Sequence, residues 1–100
     1  MSRRTRKVVR QMTSTRFTVK GAVQGVGFRW ATRDEADRLG IVGVVRNRDD
    51  GTVEVDAQGD EQVIAEFRGW LEHGPRWAEV QQVEQRPIGH LESSEFLIAH

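Results

Sequence analysis

The sequence predicts an α+β sandwich, a mostly antiparallel sheet with two helices on one face, in the order β-α-β-β-α-β. Three observations predict it. Segments rich in β-formers at 16–20, 41–47 and 52–57 read as strands. Two stretches with apolar residues at helical spacing, one after Gly27 and one after Asp60, fall between and after them. An Asp50-Gly51 pair joins the second and third strands as a hairpin.

Each element has its own justification. RFTVK (16–20) alternates apolar and polar residues, as a strand with one buried face does. The stretch from Gly21 to Gly27 holds Gly21, Gly25 and Gly27, which is loop chemistry. FRWATRDEADRLG follows. Ala31, Glu35, Ala36 and Arg38 favour helix, while Phe28, Ala31, Ala36 and Leu39 share much of one face. Gly40 stands where a helix C-terminal glycine is expected. IVGVVRN (41–47) is β-branched and apolar, and RDDG (48–51) is the turn. TVEVDA (52–57) puts Val53 and Val55 on one face and Thr52, Glu54 and Asp56 on the other. Asp60 is a helix N-cap. Val63, Phe67, Trp70 and Leu71, with Ile64 alongside, form the apolar face of the helix it opens, and Gly74-Pro75 stops that helix. AEVQQVEQRP (78–87) reads as a strand with room for a bulge, and FLIAH (96–100) as a short last strand. The order is that of a split β-α-β arrangement, the ferredoxin-like sandwich.

The 100 residues suit one domain. Residues 1–14 are expected to be a basic, disordered tail and 15–100 the domain. Net charge is zero, yet Arg3, Arg4, Arg6, Lys7 and Arg10 all lie in the tail, which leaves the body acidic. A broad nucleic-acid surface on the body is therefore not expected. Met12 is a second candidate translation start. No cysteine is present, so disulfides, zinc-thiolate sites and iron–sulfur clusters are excluded. That absence fits a reducing cytosol, and a cytoplasmic location is expected. No apolar run approaches the roughly 18 residues that span a bilayer, and no secretory signal is recognisable. No membrane partner is expected, and the expected state is a monomer.

The loop GAVQGVGFR (21–29) is where chemistry concentrates. Backbone N–H groups at a helix start lack intrahelical partners, and the helix dipole is positive there. Glycines let such a loop curl so that successive N–H groups converge on an anion, and phosphate suits that nest. Arg29 stands at the same helix start, and its guanidinium can fork onto two phosphate oxygens. The dinucleotide pattern G-x-G-x-x-G fails at Trp30, and the Walker pattern fails because the only lysines are Lys7 and Lys20. The loop has a phosphate-binding character without a nucleotide signature. A plain tight turn before a helix is the competing reading.

GAVQGVGFR together with GVVRNRDDGTVEV (43–55) resembles the acylphosphatase family, from about Phe17 to Ile98. The resemblance implies a catalytic arginine at Arg29 and a catalytic asparagine at Asn47. It implies a phosphate cradle at Gln24, Gly25, Val26, Gly27, Phe28 and Arg29, acting mainly through backbone amides. It also implies the ferredoxin-like fold reached above from pattern. The sequence departs from the family pattern at Val44, where an aromatic is usual, at the bulky Arg76-Trp77, and at the terminal FLIAH. None of these removes a residue with a catalytic role.

The reaction implied is hydrolysis of a small-molecule carboxyl-phosphate anhydride to carboxylate and phosphate. The cradle and Arg29 would stabilise charge on the equatorial oxygens, and Asn47 would aim a water at phosphorus. A carboxylate leaves as a stable anion and needs no general acid. No metal and no cofactor are therefore expected. Asn47 alone would read as a turn residue, and Arg46 and Arg48 as solvated strand-end charges that could add a pull on phosphate. Trp70 is expected in the core, with Trp30 and Trp77 packed or lining the site mouth. His73, His90 and His100 lack metal spacing. An RNA-recognition domain shares the element order, but TVEVDA lacks the base-stacking aromatics of its third strand. A domain of a larger carbamoyl-phosphate-using enzyme would share the loop, but such chains are long and carry zinc-finger-type cysteines, which this one lacks. A non-catalytic anion sensor could use the same loop, but it would have no need of Asn47.

Overall fold

The computed structural model describes residues 11–100. The tail expected at 1–14 lies mostly outside the described residues, and its structure is not addressed. Five strands and two helices follow in the order β1 (Met12–Ala22), α1 (Phe28–Leu39), β2 (Val42–Asn47), β3 (Val53–Asp60), α2 (Glu61–His73), β4 (Glu79–Pro87) and β5 (Phe96–Ile98). The sheet order is β4-β1-β3-β2-β5. All pairings are antiparallel except β2 with β5, which run parallel. This is the ferredoxin-like sandwich.

Two boundaries differ from the sequence reading by three residues or more. β1 begins at Met12, where Met12, Thr13 and Ser14 pair with Asp60, Gly59 and Gln58. The strand thus starts three residues before the expected domain boundary at 15. Polar MTS carries no alternation to announce it, and the ladder to β3 supplies the order. β3 likewise runs on to Asp60, beyond the expected Ala57. The bulge falls where β4 meets the end of β1: Lys20 pairs with Gln82 and Gly21 with Val80, leaving Gln81 as the extra residue.

The core lies between the sheet and the helices. Phe17 and Val19 of β1, Val45 of β2, and Val53, Val55 and Ala57 of β3 face it, as alternation requires. Phe67 of α2 sits at its centre. Its ring meets Phe17 edge-on at 6.1 Å and Phe96 at 6.3 Å. Trp70 is half-buried beside Phe67 and Phe28. Asp60 caps α2 as expected, accepting the Gln62 N–H at 2.9 Å. On α1 the buried residues are Phe28, Thr32 and Ala36. Nothing in the sequence singles out Thr32 for the core. Its hydroxyl donates to the Phe28 carbonyl at 2.8 Å, so burial leaves no polar atom unmet.

The helix-free face of the sheet carries an ionic cover. Glu54 and Asp56 point there, yet they are only 5% and 6% exposed. Arg16 of β1 forks onto Asp56 at 2.7 and 2.9 Å and reaches Glu54 at 3.0 Å. Arg46 and Arg48 donate to Glu54 Oε1 at 3.2 and 2.9 Å. The arginine stems cover the carboxylates that their heads neutralise. Arg46 and Arg48 are thus paired with Glu54 at the strand end, while Arg48 remains more than half exposed to solvent. Glu54→Ala is expected to lower the unfolding free energy by about 2 kcal/mol, because it strips three guanidinium groups of one buried partner. The loss stays below that of a fully buried pair because these arginine side chains remain 28%, 35% and 53% exposed. A fall in urea midpoint at unchanged slope would measure it.

Candidate active site

Topology brings the loop and Asn47 to one end of the sheet. β1 and β2 both run antiparallel to β3, so they point the same way. Their C-terminal ends, Ala22 and Asn47, therefore emerge together, with β3 between them. Two strand spacings, about 10 Å, separate the strands. The loop 23–27 curls across that gap to the start of α1.

The loop geometry is that of a nest. Gly25 and Gly27 have φ of 77° and 78°, in the left-handed region. Only glycine takes this conformation without cost, and two such glycines flanking Val26 supply the alternation from which a nest of N–H groups can be built. Gly27 is the N-cap of α1 and offers no side-chain cap. The first bond of the helix runs from the Ala31 N–H to the Gly27 carbonyl at 3.0 Å. The N–H groups of Phe28, Arg29 and Trp30 thus have no acceptor within the helix.

A pocket of about 180 Å³ opens here, lined by Val23, Gly25, Gly27, Phe28, Arg29, Trp30 and Asn47. Five of the residues singled out in the sequence, Gly25, Gly27, Phe28, Arg29 and Asn47, share its wall. Phe28 is 1% exposed, so its ring belongs to the core and its backbone to the loop. Gln24 and Val26 do not line it. The Gln24 amide donates to the carbonyls of Arg48 (2.7 Å) and Thr52 (2.9 Å), at the two ends of the β2–β3 turn. Val26 packs against the core, and its carbonyl accepts the Trp77 indole N–H. Trp30 and Trp77 are 53% and 62% exposed. Neither is packed away: Trp30 lines the pocket, under the Arg33 guanidinium at 4.9 Å, and Trp77 stands over the loop.

Arg29 is anchored from a distance. Its Nη1 donates to the Ala99 carbonyl at 2.7 Å. Ala99 is held in turn by its N–H to the Val45 carbonyl at 2.9 Å, which continues the β2–β5 pairing. One donor of the guanidinium is used this way, and the planar fork has about five. Asn47 is exposed at the end of β2. The turn after it is fixed by Asp50, whose Oδ1 accepts the Thr52 hydroxyl at 2.7 Å and the Thr52 N–H at 3.0 Å. The Thr52 hydroxyl, then its amide, hold the Asp50 carboxyl below its ordinary value. A lowered pKa stabilises the fold above the unfolded-state value, and that contribution is lost as pH falls through the lowered one. The turn is therefore fully capped at neutral pH and loosens only in acid.

The acylphosphatase family model matches residues 15–98. An acylphosphatase of Actinobacillus succinogenes is 50% identical over 88 residues, 87% of this chain and 98% of its own. The chain belongs to the acylphosphatase family. It is thereby an enzyme, a hydrolase of acyl phosphates. Solved acylphosphatase structures agree with the fold. That of Coxiella burnetii has a TM-score of 0.84 at 36% identity, covering 88% of this chain and 93% of its own. That of Bacillus subtilis also has a TM-score of 0.84, at 35% identity, covering 90% of this chain and all of its own.

For an acylphosphatase built this way, Gln24 joins the glycine loop to the hairpin that carries Asn47. Gln24→Ala is expected to cost about 1–2 kcal/mol of stability, from two lost hydrogen bonds. It should also lower kcat/KM for benzoyl phosphate about tenfold, since loop and hairpin then shift independently. Denaturant unfolding and steady-state kinetics on the same preparation check both.

Among the described residues no helix is long and apolar enough to cross a membrane.

Proposed function

We propose that the pocket binds the phosphoryl group of an acyl phosphate and hydrolyses it without a metal. Backbone N–H groups of Gly25, Gly27, Phe28 and Arg29 and the Arg29 guanidinium hold the phosphoryl oxygens. They stabilise the charge that spreads over the equatorial oxygens in the transition state. The Asn47 amide holds a water in line with the leaving carboxylate. The substrate phosphate accepts the proton of that water. The leaving carboxylate is a weak base, so no protein acid protonates it. Phosphate monoesters, whose alkoxide leaves poorly, are expected to be poor substrates.

The observation that carries this reading is the shared wall: Gly25, Gly27, Arg29 and Asn47 line one pocket at the start of α1. A nest and a guanidinium alone would suffice for holding an anion. An exposed amide at the end of a second strand gives the same pocket a group able to orient water. The reading further takes the protein to work as a cytoplasmic monomer on a small acyl phosphate.

The test is hydrolysis of benzoyl phosphate with a chelator present. Turnover unaffected by the chelator supports the reading. A folded protein that binds phosphate yet shows no turnover would instead be an anion sensor.

A further inference from the structure

Trp77 is unusual for its place. It stands in the short connection between α2 and β4, where the Ala78 N–H bonds the Pro75 carbonyl at 2.9 Å and tightens the turn. Its large apolar surface is 62% exposed, so burial does not explain it. The polar atom of its side chain is committed, however. The indole Nε1–H donates to the Val26 carbonyl of the phosphate-type loop. A Cβ built on Gly27 would lie 3.9 Å from the same nitrogen, so the indole edge sits beside Gly27 as well.

The Val26–Gly27 peptide is trans. A trans peptide points its C=O and N–H in opposite directions. Fixing the Val26 carbonyl on Trp77 therefore turns the Gly27 N–H away from Trp77. Gly27 is also the residue that makes this peptide easy to turn over. A flip changes ψ of Val26 and φ of Gly27, and glycine accepts either sign of φ. The glycine that allows the nest thus also allows its collapse, unless something outside the loop selects one orientation.

We propose that Trp77 is a positioning residue of the phosphate loop: its indole N–H holds the Val26–Gly27 peptide so that the Gly27 N–H faces the pocket. The inference rests on the proposed phosphate-binding role of that loop. The Gly27 N–H contacts phosphate in both the bound substrate and the transition state. Losing its alignment then weakens binding more than it slows the chemical step.

The test compares the full-length protein with Trp77→Phe, which keeps an aromatic ring and removes the N–H. Three quantities are read: kcat and KM for benzoyl phosphate, the inhibition constant of inorganic phosphate, and the melting temperature. KM and the phosphate inhibition constant are expected to rise together about five- to tenfold, with kcat changed less than about twofold. A merely structural Trp77 would lower the melting temperature and leave both constants unchanged, which would overturn the proposal. A second measurement needs no variant. In the wild-type protein the Trp77 indole proton should resist solvent exchange, and the Gly27 amide resonance should shift when phosphate is added. Free exchange of that indole proton, or a Gly27 amide indifferent to phosphate while its neighbours respond, would overturn the proposal. Failure of the underlying reading looks different: wild-type protein would then neither turn over benzoyl phosphate nor be inhibited by phosphate.

Discussion

Arg29→Ala is expected to lower kcat/KM for benzoyl phosphate about a thousandfold and to abolish inhibition by phosphate. The magnitude follows from the role proposed for the group. A preorganised charged donor on a developing phosphoryl charge is worth roughly a hundred- to a hundred-thousandfold, in a site partly screened from water. A thousandfold corresponds to about 4 kcal/mol of lost transition-state stabilisation. The fold should suffer much less. Losing the tertiary hydrogen bond from Arg29 to Ala99 costs about 1 kcal/mol. Arg29→Lys separates charge from geometry. An ammonium supplies the charge, but it cannot hold the Ala99 carbonyl and fork onto two oxygens at once. Lysine should therefore recover only a small part of the loss. Full recovery by lysine would mean that Arg29 supplies a positive potential and nothing more, and the bidentate reading would be wrong.

The sequence carries the fold and the loop well, for reasons that are physical. Val53 and Val55 alternate with Glu54 and Asp56 because one face of β3 meets the core and the other does not. The glycines at 25 and 27 announce left-handed backbone because other residues adopt it only at a cost. What stays hidden depends on partners distant along the chain. Nothing near Arg29 signals that Ala99, 70 residues on, will hold its guanidinium. That contact exists because β5 runs parallel to β2 and so ends at the same end of the sheet. Gln24 reads from its position as part of the cradle. A glutamine in a glycine loop does not reveal that its amide spans to Arg48 and Thr52 across a hairpin. Arg46 and Arg48 read as solvated because each looks isolated at a strand end. Their common partner, Glu54, becomes visible only once β2 is laid against β3 and Arg46 falls opposite Glu54.

Asn47→Ala is expected to lower kcat about a hundredfold while the inhibition constant of phosphate changes less than about threefold. The contrast with Arg29 is the point. If Asn47 acts on the attacking water and not on phosphate, its loss should raise the barrier without weakening the bound anion. The surroundings suit such a role. The Gln24 amide and the Asp50–Thr52 bonds fix the turn beside Asn47 from both sides, so its exposed amide extends from a rigid support. Rigidity matters because a water displaced by about an ångström attacks far less often in line. Asn47→Asp sharpens the test. A carboxylate can accept a hydrogen bond from the water, but it also brings negative charge toward the phosphoryl group. It should therefore lower kcat and raise KM together, unlike alanine. If Asn47→Ala kept full kcat in a folded protein, the water would have to be oriented by the loop amides or by the substrate itself. The pocket would then need only Arg29 and the nest, and the placement of Asn47 on its wall would be incidental to the chemistry.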